Sequence, residues 1–280
     1  MHPAALPEAL VPLAERPGEA ALFLDYDGTL APIVADPATA APFPGVPRLL
    51  GVLSARLGTV AVVSGRPVRY LVEVLGRPEG VHLAGLYGME EVGGDGRVRE
   101  DPEAASWRPV VEDVAAALVA SAPAGIGVEP KGLTVTLHWR RAPGEESWAR
   151  DAAAREVART GLVLQPGRMA LELRPPAHAD KGTVVERLAG SRPVVAYFGD
   201  DVGDLPAFAA LDRLAAQGRT VARVAVADPE SPHELSDAAD VVVRSTADAV
   251  DLLERVAAAI AGDPAAEERP EPTLREGRRR

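Results

Sequence analysis

Short, fully apolar runs recur along the chain, and each stops at a polar cluster. Ala20–Leu24 ends at Asp25 and is followed by Gly28, which predicts a buried strand and then a turn. Thr59–Val63 is a β-branched run ending at Ser64-Gly65-Arg66, and Pro67 then opens a helix to about Leu75. Val81–Leu86 reads as a third strand, Val194–Phe198 as a fourth ending at Gly199-Asp200-Asp201, and Val221–Val226 and Val241–Val243 as two more. Helical spacing marks Val46–Leu57, Leu205–Ala216 and Ala247–Ala261. Strands apolar on both faces and alternating with helices predict a mostly parallel sheet covered on both sides, a doubly wound, Rossmann-like α/β core.

The middle of the chain has another rhythm. Leu133, Val135, Leu137 and Trp139 alternate with Thr134, Thr136, His138 and Arg140, and Leu171 and Leu173 alternate with Glu172 and Arg174. Helices are expected over Val110–Ala120 and Trp148–Thr160. Alternation is the mark of a sheet with one covered face and one polar face, so an α+β module is expected to be inserted into the α/β core. The expected division is core over 1–104, inserted cap over 105–178, core again over 179–262, and a disordered tail over 263–280 rich in Glu, Pro and Arg. Gly93–Gly96 is a hairpin signal. The N-terminal stretch reads as a surface helix, without the basic leader of a signal peptide, and no apolar run reaches the ~18–20 residues of a membrane span. A cytoplasmic protein is expected, with no membrane partner.

Composition narrows the chemistry. The 280 residues carry a net charge of −11, which argues against a phosphate-reading nucleic-acid binder. Cysteine is absent, which removes disulfides, thiol nucleophiles and Cys-ligated zinc. Of the 30 basic residues only two are lysines, Lys131 and Lys181, so those positions are candidates for a compact ammonium that a planar guanidinium would not replace.

Ligands of parallel α/β folds bind at the carboxyl ends of strands. Three strand ends here carry polar clusters: Asp25-Tyr26-Asp27-Gly28-Thr29, Ser64-Gly65-Arg66 and Gly199-Asp200-Asp201-Val202-Gly203-Asp204. Aspartates in such loops also serve as turn formers and helix caps. Two acidic clusters facing one crevice, however, need a cation or proton to offset their charge. Carboxylate oxygens without sulfur or imidazole suit Mg²⁺.

These strings resemble the motifs of the haloacid-dehalogenase-like (HAD) phosphohydrolases. LFLDYDGTL is similar to the first, VVSGR to the second, Lys181-Gly182 to the third and GDDVGD to the fourth. The resemblance implies that Asp25 attacks phosphorus to form an aspartyl phosphate and that Asp27 is the general acid and base. It implies Mg²⁺ on the Asp25 carboxylate, the Asp27 carbonyl and Asp200, with Asp201 and Asp204 completing or orienting its surroundings. Ser64 would bond a phosphate oxygen, with Gly65 and Arg66 in the same substrate-binding loop, and Lys181 would neutralise Asp25 and the phosphoryl group.

Within that superfamily, LAGLYGMEE, VEPKGLTVTLHWR, and QPGRMALELRP followed by ADKGT resemble the trehalose-6-phosphate phosphatases. Their sugar-contacting residues fall on Glu129, Lys131, Arg140 and Glu172. Glu129 and Lys131 have the opposite parity to Arg140, so a pleat reset such as a bulge is expected near Gly132. Trp139 sits on the apolar parity and is expected in the core; His138 is open between packing and sugar contact. Gly203 and Leu205 stand where many members carry Thr and Glu, and Tyr87 where many carry His. The expected activity is Mg²⁺-dependent hydrolysis of trehalose 6-phosphate to trehalose and phosphate, by a monomer whose association with a trehalose-phosphate synthase is not readable from sequence. The alternatives are another sugar phosphate (sucrose phosphate, a glycosyl-glycerate phosphate), a phosphomutase, or a non-catalytic module of a sugar-synthesis complex.

Overall fold

The apolar runs of the first hundred residues become strands with little adjustment in the computed structural model, which describes residues 5–34, 39–93, 96–167, 169–227 and 233–262. Helix α1 (Val11–Glu15) leads into β1 (Ala20–Leu24), α2 (Val46–Ser54), β2 (Thr59–Val63), α3 (Val68–Leu75), β3 (Val81–Gly85), β4 (Glu90–Val92) and β5 (Val98–Glu100). Then come α4 (Pro102–Ser106), α5 (Arg108–Ser121), β6 (Gly127–Pro130), β7 (Val135–His138), α6 (Glu146–Thr160), β8 (Val163–Gly167) and β9 (Ala170–Arg174). The last third holds α7 (Lys181–Ala189), β10 (Val194–Gly199), α8 (Leu205–Ala216), β11 (Thr220–Val226), α9 (His233–Ala238), β12 (Val241–Val243) and α10 (Thr246–Ala261). Internal contacts divide the chain into two units, Met1–Val98 with Ala179–Arg280, and Arg99–His178. The stretch from 263 to 280, and positions 94 and 95 within the Gly93–Gly96 signal, lie outside the described residues.

The large sheet has the order β12-β11-β10-β1-β2-β3-β4-β5. It is parallel from β12 to β3, and β4 turns back antiparallel. Successive side chains of a strand point to opposite faces, so a strand apolar throughout feeds two cores. Leu22, Leu24, Val60, Val62, Ala196 and Phe198 join α1, α2, α3 and α10 on one face. Ala21, Phe23, Ala61, Val63, Val195 and Tyr197 join α7, α8 and α9 on the other. The N-terminal helix is the expected surface helix: Leu13, with Leu10 just before it, anchors one side in the first of these cores, while Val11, Pro12 and Ala14 are half-buried and Glu15 is exposed. Among the described residues no helix is long and apolar enough to cross a membrane.

Chain order along this sheet locates the site. From β1 the chain moves outward to β2 and β3, then returns to β10 on the other side of β1. Between β1 and β10 the winding therefore reverses, and the loops leaving their carboxyl ends diverge to leave a crevice. Asp25 and Asp200 leave those two ends.

The second unit has a four-stranded antiparallel sheet, β6-β7-β9-β8. Its apolar face packs Val135, Leu137, Leu171 and Leu173 on α5 and α6, and Trp139 is in this core. The pleat reset near Gly132 is a hairpin turn, not a bulge. Residues 129 and 140 do not lie along one strand: β6 and β7 are antiparallel partners, with Lys131 N donating to Thr134 O at 2.9 Å and Gly132 at φ +90°. Only a residue without Cβ takes that backbone at little cost.

Candidate active site

The crevice between β1 and β10 gathers three carboxylates and one ammonium. One oxygen from each of Asp25, Asp200 and Asp204 lies within 4.8 Å of the others. Lys181, the first residue of α7, places Nζ 2.9 Å from Asp25 Oδ1 and 2.6 Å from Asp204 Oδ1. Asp180 caps that helix by accepting from Thr183 N, which fixes where Lys181 leaves the helix. Gly28 takes φ +76°, and a Cβ there would fall 2.0 Å from an Asp200 oxygen; the first loop and the Asp200 carboxylate approach as only glycine allows.

The electrostatics follow from burial. Asp25 is 4% exposed. Loss of water pushes its carboxyl well above the ordinary range, and Lys181 pulls against that while Asp204 and Asp201 add to it. Asp200 is pushed the same way, first by burial and then by the charges of Asp25, Asp201 and Asp204. Burial by itself would lower the Lys181 ammonium, but Asp204 and Asp25 outweigh it and hold the group well above its ordinary value. Lys181 therefore stays charged, and one ammonium serves a cluster with more negative charge than it can offset.

Asp204 is the organiser of this cluster. It is wholly buried. Its Oδ1 accepts from Lys181 Nζ and from Tyr197 Oη, both at 2.6 Å. Its Oδ2 accepts from Asp200 N at 2.9 Å and Asp201 N at 3.2 Å. With four donors on one carboxylate, Asp204 orients the loop, and Asp25 and Asp200 are the carboxylates left to face a cation. A divalent cation fits this donor set: hard oxygens, excess negative charge, and no sulfur or imidazole. Asp201 behaves as a cap, its Oδ1 accepting from Gly203 N at 2.8 Å, and it is exposed. No motif in the sequence marks Tyr197; its signal there is a phenol inside an otherwise apolar strand, whose hydroxyl needs a buried partner.

Asp27 does not face the cluster with its side chain. Arg66 grips it through two bonds, Nε to Oδ2 at 2.7 Å and Nη2 to Oδ1 at 2.8 Å. Only the Asp27 main-chain carbonyl is left for the ligand role the resemblance assigns. The Arg66 guanidinium also lies 4.6 Å from the centre of the Tyr70 ring. Ser64 is buried at the end of β2 and its Oγ accepts from Arg66 N at 3.1 Å, which leaves the hydroxyl proton to donate. Gly65, between them, is half-buried.

In the second unit, Glu129, Thr136, Glu172 and Gln165 stand abreast on the polar face of β6, β7, β9 and β8. Glu172 Oε1 receives Thr134 Oγ1 at 2.5 Å and Lys131 Nζ at 3.4 Å. Glu129 Oε2 is 2.8 Å from His138 Nε2, which gives that histidine a polar partner in place of a packing role. Much of this face is buried, including Thr134, Thr136, Glu172 and Arg174. Arg140 is not brought to it as expected: β7 ends at His138, and Arg140 lies in the turn beyond, half-buried.

A doubly wound α/β core with acidic loops at its switch point, together with a unit built on its own antiparallel sheet, defines an HAD-like fold with a cap-type module. The trehalose-phosphatase family model matches residues 23–241. The chain belongs to the trehalose-phosphatase family. It is 37% identical over 225 residues to the trehalose-phosphate phosphatase of Mycobacterium marinum, covering 75% of this chain and 57% of that protein. It is 35% identical over 201 residues to a probable trehalose-phosphate phosphatase of Sinorhizobium fredii, covering 69% of this chain and 74% of that protein. The match thus spans little more than half the length of the mycobacterial relative. Among solved structures, the C-terminal domain of Candida albicans trehalose-6-phosphate phosphatase aligns with TM-score 0.74 at 24% identity, over 92% of this chain and 98% of that one. Aspergillus fumigatus trehalose-6-phosphate phosphatase aligns with TM-score 0.62 at 26% identity, over 92% and 99%.

Proposed function

We propose that the protein is a Mg²⁺-dependent phosphatase that hydrolyses trehalose 6-phosphate to trehalose and phosphate. The observation that carries this reading is the placement of Asp25 and Asp200 beside the Lys181 ammonium at the sheet's switch point. A bound Mg²⁺, held by Asp25, the Asp27 carbonyl and Asp200, would supply positive charge against the carboxylates and the phosphoryl oxygens. Lys181 shares that task. At an effective dielectric of ~20 and ~4 Å separation, each carboxylate–phosphate charge pair repels by about 4 kcal/mol, so attack requires compensation of this kind.

An Asp25 oxygen attacks phosphorus; the P–O bond to the sugar breaks as an aspartyl phosphate forms on Asp25. Asp27 takes the general-acid role that the resemblance gives it, since an alkoxide is a poor leaving group; to carry the proton it hands to the sugar oxygen it must give up one of its two bonds to Arg66. Asp27 then takes a proton from the water that cleaves the aspartyl phosphate, which restores both residues. Arg66 holds the Asp27 carboxylate in orientation, and the Ser64 hydroxyl donates to a phosphoryl oxygen. In the second unit, Glu129, Lys131 and Glu172 read the sugar hydroxyls. Carboxylates accepting and an ammonium donating suit a neutral disaccharide.

Phosphate release from a panel of sugar phosphates, with and without Mg²⁺, tests the reading. Trehalose 6-phosphate is expected to be the best substrate and EDTA to abolish release; preference for a different sugar phosphate would replace the substrate assignment. Metal binding has its own readout. In EDTA-treated protein, Mg²⁺ at ~100 times its Kd adds about 2.7 kcal/mol and raises Tm by roughly 5–10 °C. D200N is expected to lose that shift while keeping its circular dichroism. An equal shift in D200N would remove Asp200 from the metal site.

Sugar reading by the small sheet makes a separate prediction. E129A and K131A are each expected to raise KM for trehalose 6-phosphate, and to lower its kcat/KM relative to that for a sugar-free aryl phosphate by about tenfold. Equal losses on both substrates would mean that these residues do not select the sugar.

A further inference from the structure

Two adjacent residues after β3, Leu86 at φ +47° and Tyr87 at φ +60°, occupy the left-handed region. Bulky residues rarely adopt this backbone, and such strain persists where surrounding contacts impose it. Here the contacts come from the loop after β2. Leu86 N donates to Arg66 O and Tyr87 N to Ser64 O, each at 2.9 Å. The consequence is the position of the phenol: a Cβ built on Gly65 would lie 2.7 Å from Tyr87 Oη and 2.8 Å from Cζ. The Tyr87 hydroxyl therefore lies against Gly65, the residue that joins Ser64 to the Arg66 that grips Asp27. A side chain at position 65 would expel it.

Depth sorts what this hydroxyl can meet. Asp25 and Ser64, at 4% and 1% exposure, are the buried end of the crevice where phosphorus must sit. Gly65 and Tyr87 are half-buried, one step outward along the same strand ends. A group bound with its phosphate on Ser64 would extend past this phenol. A phenol offers an apolar ring face and one polar tip, which suits a sugar ring carrying hydroxyls. We propose that Tyr87 contacts the sugar of the sugar phosphate, as a specificity-determining residue supplied by the core unit. This rests on the phosphatase reading above.

The test is steady-state kinetics of full-length Y87F with Mg²⁺, on trehalose 6-phosphate and on a sugar-free aryl phosphate. Phenylalanine keeps the ring and removes one oxygen. The ratio of kcat/KM for the sugar phosphate over the aryl phosphate is expected to fall about five- to tenfold, mainly through KM, the size of one lost neutral hydrogen bond. Tm is expected to stay within about 1 °C. A ratio unchanged within about twofold overturns the proposal. So does an equal loss on both substrates, which would place the hydroxyl at the phosphate or in the fold. E129A run alongside separates the failures: a lowered ratio in E129A with none in Y87F defeats the Tyr87 assignment alone. A wild-type protein that releases no phosphate from trehalose 6-phosphate defeats the underlying reading, and this inference with it.

Discussion

D25N is expected to lower kcat by at least about 10⁴-fold while leaving the metal-free fold no less stable than wild type. The activity loss follows from chemistry: an amide oxygen cannot attack phosphorus and leave an acyl phosphate. The stability result follows from burial. Desolvation and the neighbouring carboxylates push the Asp25 carboxyl up, and Lys181 offsets this only in part. A neutral isostere removes one member of a crowded set of like charges, and Lys181 keeps its 2.6 Å contact with Asp204. Residues retained against stability are a mark of sites shaped by function. Phosphate-release kinetics and thermal unfolding in EDTA check the two halves. Substantial turnover in D25N would remove Asp25 as nucleophile.

K181M is expected to have the opposite stability signature. It leaves Asp25 and Asp204, both buried, without their shared cation, and breaking a buried pair in this way costs about 3–5 kcal/mol. The urea midpoint in EDTA should fall accordingly, and kcat should fall by about 10²–10³-fold through lost stabilisation of the phosphoryl charge. The double variant D25N/K181M should recover part of the lost stability, because one stranded carboxylate is gone; additive losses would mean the two side chains do not interact. K181R should not restore activity. Both contacts are made by one compact ammonium at 2.9 and 2.6 Å, and a planar fork on a longer stem cannot occupy that point.

Lysine is rare in this chain, which marks Lys181 in the sequence, and its contacts with Asp25 and Asp204 give a physical reason for an ammonium at that position. The strands were legible for a similar reason. Val60–Val63 is apolar at every position, and a short run of this kind, closed by Ser64-Gly65, suits a strand buried on both faces. The small sheet was harder to read. Counted straight through Gly132, Glu129 and Lys131 fall on the parity opposite to Arg140, and a bulge within one strand is the simplest repair; the chain instead reverses there. Parity carries information within a strand and none across a turn.

From the order of its residues alone, this protein was committed to a doubly wound α/β core, to acidic loops at particular strand ends, and to the trehalose-phosphatase motifs. Those are local properties, set by period, turn chemistry and composition. What the tertiary structure decided is which groups meet. It placed Tyr197 on Asp204, Arg66 on Asp27 and the Tyr87 phenol against Gly65, and it left Arg140 beyond the end of its strand. Such contacts join residues distant in the chain through the exact angle at which loops leave a sheet, and no periodicity along the sequence records that angle.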